Sequence, residues 1–450
     1  MGAVTRSVMW FRRDLRLHDH PALREAVTAG PDGVVPLFVL DDRLWESAGP
    51  VRRAALATML RDLSERIDGL HVVHGDPTVE VPRVVRAAEA SSVHVGGDFG
   101  PYGSRRDDAV ESALAELEVP LQRTGSAYAI SPGRITKGDG TPYRVFTPFF
   151  RAWQDLGWRE PAPLVRDVPW IRPEGRTHRI PDATPPAGPT LPPRGEGTAR
   201  RHWRAWIDDV ASYDDIRDLP GRDETSRMSP HLRWGAIHPR TMLADLAPLR
   251  SKGADAYVRE LAFREFYADV LHHRPDTATG YYDRRFESMR YDEPGDGFEA
   301  WQEGTTGFPI VDAGMRQLRA EAWMHNRVRM IVASFLVKDL HVEWTHGARH
   351  FLEWLVDGDL ASNQHGWQWT AGCGTDASPF FRVFNPITQG KKLDPDGTYV
   401  RRWVPELRDV PDRYVHEPWT APEPAPGYPA PIVDHAEERR EALARYEEIR

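Results

Sequence analysis

WMHNRVRMIVASFLVK (323–338) and VDGDLASNQHGWQW (356–369), with Trp344 between them, hold the densest chemistry of this 450-residue chain. In the first stretch Met324, Val328, Ile331 and Phe335 recur at helical spacing, yet Asn326, Arg327 and Arg329 are interleaved with them. A helix this apolar is buried, and its polar residues then need partners. In the second, Asp357 and Asp359 bracket the turn-forming Gly358, and Asn363 and Trp367, four apart, share one face of the helix that follows. So polar and aromatic an interior is unusual for plain core.

Outward from this centre the helical pattern continues. Between Trp203 and Val356 helix follows helix with no convincing strand, which makes the second half all-α. In AYVRELAFREFYADVL (256–271), Tyr257, Glu260 and Arg264 share a face with Leu261, while Phe263, Phe266 and Val270 cover the others. Glu260 and Arg264 then form an internal ion pair, or Glu260 is a carboxyl group set beside aromatics to hold or protonate a polar base edge. DETSRMSPHLRWG (223–235) offers Thr225, Ser226 and Ser229 with Arg227 ahead of a proline and a helix pattern. That is an anion site suited to phosphates or a plain capping sequence, and Tyr213 and Arg217 just upstream fit either reading.

Toward the N-terminus the period changes. SVMWF, VVPLFVL, HVVHG, SVHVGG and PLQRT alternate with helical patterns from Ser7 to about Thr124, as in a doubly wound parallel sheet covered by helices. FRRDLR stands after the first strand where GxGxxG would bind a dinucleotide, so that mode is not supported. FRRD and GGDFG both fall at carboxyl ends of strands, the ligand-binding edge of such sheets; they hold a small planar ligand there or are ordinary turns. Ten prolines in 161–195 mark a connector. The expected organisation is α/β: a sheet domain over 1–130, a long linker over 131–198, and an all-α domain over 199–450.

A formal charge of −9 argues against bulk attraction to nucleic acid and leaves room for a local basic face. The single cysteine, Cys373, excludes an internal disulfide and fits a reducing cytoplasm. The arginines of MGAVTRSVMWFRRD speak against a secretory signal, and no apolar run is long enough to span a membrane. Asp357 and Asp359 lack companions at ligand spacing, and His341, His346 and His350 are not arranged as HExxH, so no metal is expected.

FRRDLRLHDHPAL, TSRMSPHLRWG, RELAFREFY, TGFPIVDAGMRQL, WMHNRVRMIVASFLVKDL, DGDLASNQHGWQW and FRVFNPITQGKK occur in this order along essentially the whole chain. Together they resemble the photolyase and cryptochrome family, most of all its class I members acting on cyclobutane pyrimidine dimers. The resemblance implies an α/β antenna domain and a helical domain holding U-shaped FAD. It implies FAD phosphates at Thr225, Ser226, Arg227, Met228 and Ser229 with Tyr213, and further cofactor contacts from Tyr257, Arg264, Arg329, Asp357, Gly358 and Asp359. Asn363 is expected to face the flavin N5, and Arg329 to pair with Asp357.

The same resemblance implies a lesion pocket of Glu260, Asn326, Met330 and Trp369. A histidine stands in place of Met330 in the (6-4) photolyases, so Met330 points to the cyclobutane subclass. Phe263 replaces the usual tryptophan. Excited reduced flavin would give an electron to the flipped-out dimer, with Glu260 and Asn326 catalytic. Arg217, Arg264, Arg327, Arg382, Gln389 and Lys391 are candidates for the rim that meets UV-damaged DNA. Trp367 and Trp344 match the inner two of three electron-carrying tryptophans, and Tyr291 takes the outer place. The antenna, with Asp98 as its contact, is expected to be 8-hydroxy-5-deazaflavin ahead of FMN or folate. A monomer without membrane or obligate protein partner follows, and a cryptochrome-like blue-light photoreceptor without repair activity is the alternative.

Overall fold

The five apolar runs become five parallel strands, β1 (Arg6–Phe11), β2 (Gly33–Leu40), β3 (His71–His74), β4 (Ser92–Gly97) and β5 (Leu121–Ser126), in the order β3-β2-β1-β4-β5. The computed structural model describes residues 4–185, 188–189, 191, 195–376 and 381–450. Val8 of β1 lies opposite Val35 of β2 and Val93 of β4. Every residue of β2 is buried, which is why these strands read as continuous apolar runs and not as alternating ones. Four crossover helices, Pro21–Ala29, Pro50–Arg66, Pro77–Ala88 and Pro101–Ala115, each begin on a proline, whose fixed φ and missing N–H suit a helix start. The doubly wound parallel sheet expected from the sequence is present. Winding runs outward from β1 to β3 and then returns to β4, so the carboxyl ends of β1 and β4 flank the point where strand order reverses.

Packing divides the described residues into two compact units: those of 1–185, 193–211 and 226–275, and those of 186–192, 212–225 and 276–450. This division does not follow the proline-based boundaries at 130 and 198. Much of the 131–198 segment packs with the sheet unit. Helix Phe146–Leu156 lies in it with Phe149 and Trp153 fully buried, and Ile171 N–H donates to Val34 O of β2 at 3.0 Å. Residues 186–187, 190 and 192–194 of the expected linker lie outside the described residues.

Helix Lys252–His273 joins the same unit through buried acids that its apolar pattern concealed. The Glu265 carboxylate accepts from Ala129 N, from Ile130 N at 3.1 Å and from Trp153 Nε1 at 2.7 Å, and Asp269 accepts from Gly133 N at 2.7 Å. Burial pushes the Glu265 carboxyl up, and these donors offset part of that.

The second unit is helical, and its described residues contain no strand, only an isolated bridge between Asp292 and Val342. Its core holds Trp301, Trp344, Phe351 and Trp367 with Phe335 and Leu336. Helix Asn326–Lys338 is capped by the His325 ring, which accepts from Arg327 N at 3.2 Å, and helix Leu360–Ala371 by Asp359, which accepts from Ser362 N at 3.2 Å. Among the described residues no helix is long and apolar enough to cross a membrane.

Candidate functional site

In the first unit, within the SRMS segment, Arg227 has a φ of +46°, in the left-handed region that side chains disfavour by about 1 kcal/mol. The buried Ser226 Oγ shares a hydrogen bond of 2.8 Å with Tyr257 Oη and accepts from Met228 N at 3.4 Å. Tyr257 is seated against Trp206 and Trp203, with ring centroids 4.8 and 5.4 Å away. Burial raises its phenol's proton affinity, and the charge of nearby Glu260 raises it further. Ser229 opens the short helix Ser229–Trp234 and is exposed.

Arg264 does not pair with Glu260. Its guanidinium donates to Ala127 O at 2.9 Å and Leu232 O at 3.5 Å and covers the Tyr128 ring at 4.6 Å. The ion-pair reading of that helix face therefore fails, and the Glu260 carboxyl is not neutralised by its neighbour one turn on. Phe263 lies face to face on Phe146, with centroids 3.4 Å apart and planes 9° from parallel. Residue order offers no hint of Phe146, because no local pattern reaches across the 117 positions that separate the two rings.

At the strand-order reversal, Arg12 N donates to Asp14 Oδ1 at 2.7 Å, and the Arg12 side chain reaches Gly96 O and Asp107. Asp98 Oδ1 accepts from Gly100 N at 3.1 Å, and its Oδ2 faces Arg106 at 3.4 Å. A Cβ on Gly103 would sit 2.1 Å from the Asp98 carboxyl carbon, so glycine there is what admits the carboxylate. Burial works to raise the Asp98 carboxyl, but Arg106, Arg13 and Arg12 hold it below the usual range, as an anion able only to accept.

The second unit carries the opening stretch. Arg329 Nη2 meets Asp357 Oδ2 at 2.8 Å, and its Nε donates to Met324 O at 2.8 Å, which supplies the partners demanded of a buried helix. Gly358 lies in the turn that leads to Asp359, the cap of the next helix, a role its spacing did not reveal. Asn363 Nδ2 donates to Ala348 O at 3.0 Å and Gln364 Oε1 at 2.8 Å; with both hydrogens committed, anything further the amide offers comes from its acceptor Oδ1. Thr225 Oγ1 is buried with no partner among the described residues. Asn326 is exposed, and Met330 is half-buried near Arg327, whose Nη1 lies 3.7 Å from its sulfur.

Helices Trp344–Trp354 and Leu360–Ala371 pass closely at Gly347, where a Cβ would fall 2.2 Å from the Trp367 ring. Trp367 is thereby wedged against Phe351 and Trp301, with centroids 4.9 and 6.2 Å away. The phenol of Tyr291 lies beside that of Tyr281, close enough to raise its proton affinity but outside hydrogen-bond geometry. Trp369 Nε1 donates to Asp376 O at 3.0 Å.

Most of the rim candidates already have partners. Arg327 grips Asp218 Oδ1 with Nη2 at 2.6 Å and Nε at 3.1 Å, Lys391 pairs with Glu417, Arg382 lies over Phe384 at 4.9 Å, and Arg217 lies 5.9 Å from the Tyr213 ring. Gln389 sits within helix Pro386–Leu393. No cluster of metal-ligating side chains occurs among the described residues.

Each set has chemistry that FAD needs: in the first unit the strained backbone at Arg227 suits phosphates, and in the second the buried Thr225 hydroxyl, without a partner among the described residues, does so too, while the Arg329–Asp357 pair with the Asn363 acceptor suits a ring of mixed donors and acceptors. Comparison with known proteins agrees. The family described as DNA photolyase matches residues 7–166, and that described as FAD binding domain of DNA photolyase matches residues 257–448. The chain is 40% identical to the deoxyribodipyrimidine photo-lyase of Streptomyces griseus over 99% of both chains. It is 35% identical to a bacterial class III photolyase from Agrobacterium tumefaciens of known structure, with a TM-score of 0.92 over 100% of this chain and 98% of that one. An archaeal photolyase from Sulfolobus tokodaii, solved with two FAD molecules, is 29% identical with a TM-score of 0.87 over 99% of this chain and 100% of that one.

Proposed function

The chain belongs to the DNA photolyase family, and from that premise we propose that it is a light-dependent deoxyribodipyrimidine photo-lyase that splits cyclobutane pyrimidine dimers in UV-damaged DNA. The observation that carries the reading is the 40% identity to the Streptomyces enzyme over 99% of both chains, and the residues that the resemblance implies for the lesion, Glu260, Asn326, Met330 and Trp369, fit it.

FAD, when bound in its reduced form, supplies on absorbing light the electron that opens the dimer and afterwards takes it back. The chain places, polarises and keeps water out. Thr225, Ser226, Arg227, Met228 and Ser229, with Tyr213 and Tyr257, hold phosphates. Asp357, Asp359 and Arg329 would hold the ring and ribose end, and Asn363 would offer its Oδ1 acceptor to the flavin. Glu260, not neutralised by Arg264, hydrogen-bonds the edge of one pyrimidine, and Asn326 that of the other. Phe263, backed by Phe146, is a wall against the extruded bases, and extrusion costs less at a damaged pair. Arg327 and Lys391 exchange Asp218 and Glu417 for phosphates, which makes binding salt-dependent. Trp367 and Trp344 carry electrons inward toward the cofactor.

The sheet unit takes an antenna chromophore at the carboxyl ends of β1 and β4. An anionic, acceptor-only Asp98 suits the ribityl hydroxyls and ring N–H of 8-hydroxy-5-deazaflavin. Extraction of a folate would overturn this, and extraction of a second flavin would bring the chain into line with the Sulfolobus protein.

The deciding experiment illuminates the FAD-reduced protein with dimer-containing DNA and follows the return of thymine absorbance. Recovery supports the lyase. No recovery from a fully flavinated, reduced protein overturns the lyase and favours the photoreceptor alternative.

A further inference from the structure

Among the described residues the ring in contact with Trp344 is that of Tyr281, edge to face at 82° with centroids 6.0 Å apart. Among the described residues Tyr291, at the position where sequence comparison expects the outer donor, makes no ring contact with Trp344. The buried indole N–H groups of Trp344 and Trp367 have no acceptor among the described residues. An indole oxidised in such surroundings cannot hand on its proton, so it stays a cation in an apolar core, a costly state that favours drawing an electron from a neighbour.

Tyr281 is built to be that neighbour. Its Oη donates to Glu343 Oε1 at 2.6 Å, and the other carboxylate oxygen accepts from Thr345 Oγ1 at 2.7 Å. Burial above all, then the neighbouring Tyr291 phenol and Glu343 carboxylate, keeps Tyr281 a neutral phenol, so it gives up an electron readily only if its proton leaves too. Glu343 is half-buried and directly precedes Trp344, so a proton placed on it has a way to solvent.

We propose that Tyr281 is the immediate electron donor to oxidised Trp344 and that Glu343 takes its proton, the two forming the proton-coupled outer end of the electron route. One electron passes from the phenol to the indole cation, restoring neutral Trp344. The Oη–H bond breaks and its proton joins Glu343 Oε1, leaving a neutral phenoxyl radical and a neutral carboxylic acid. One positive and one negative charge disappear together inside the core, which is the driving force. The oxidant is the light-excited oxidised flavin acting through Trp367, so the inference rests on the proposed flavin chemistry.

The test is transient absorption and electron paramagnetic resonance on the full FAD-loaded chain after excitation of oxidised flavin. A neutral tyrosyl radical is expected in the unaltered protein, with formation slowed in deuterated water. Y281F should lose it and leave a tryptophanyl radical, E343Q should slow or lose it, E343D should restore it, and Y291F should keep it. Flavin content and circular dichroism establish that each variant is folded. Loss of the tyrosyl signal in Y291F with retention in Y281F overturns the assignment, as does a persistent tryptophanyl radical in the unaltered protein. No radical in any form, with flavin bound, overturns the electron route itself and this inference with it.

Discussion

Replacing Arg329 with methionine leaves the Asp357 carboxylate, whose side chain is 2% exposed, without its charge partner. At 2.8 Å and an effective dielectric constant near 20 the attraction is about 6 kcal/mol gross. Much of that offsets the cost of removing both charges from water, and breaking one side of such a pair costs about 3–5 kcal/mol net. Arg329 keeps 24% of its side chain exposed, which places R329M at the lower end, about 3 kcal/mol. Urea unfolding of the flavin-free protein measures this without the contribution of cofactor binding. The double variant R329M/D357N removes both charges, so it should recover about 2 kcal/mol relative to R329M. A loss below about 0.5 kcal/mol in R329M, or a double variant no better than the sum of its parts, would refute the argument that the pair holds the turn before FAD.

Three further outcomes follow from packing and titration. Phe263→Trp should lose about 1–3 kcal/mol of stability, because the ring it would enlarge lies 3.4 Å from Phe146; F146L should relieve it, and thermal unfolding of both forms decides. Gly347→Ala puts a methyl group 2.2 Å from the Trp367 ring, so light-driven flavin reduction, followed by flavin absorbance, should slow while FAD stays bound; an unchanged rate would mean that the ring shifts without consequence. His365 is fully buried between Ala361 O and Thr277 Oγ1, and burial holds its imidazole down to about 4. The unfolded chain takes up that proton near 6.5 and the folded one only near 4, so stability falls as pH drops through this window, by up to about 3 kcal/mol. Urea midpoints against pH should fall less steeply in H365Q, and equal slopes would discard the assignment.

Residue order alone determined the parallel sheet, the all-α second half and the family, because hydrophobic period and ordered motifs are properties of the chain itself. It also placed Arg329 opposite Asp357, since a charge on a buried helix needs a counter-charge and the resemblance names one. Tertiary structure decided what depends on distant segments meeting. Phe146 backs Phe263, Arg264 turns from Glu260 to the carbonyls of Ala127 and Leu232, and Glu265 ties its helix to Ala129, Ile130 and Trp153. Unit boundaries moved for the same reason: prolines mark where a chain is extended, but the area it buries decides what it packs with. Helical spacing foretells which residues share a face, and only the folded core reveals that Tyr281, and not Tyr291, is the ring that touches Trp344.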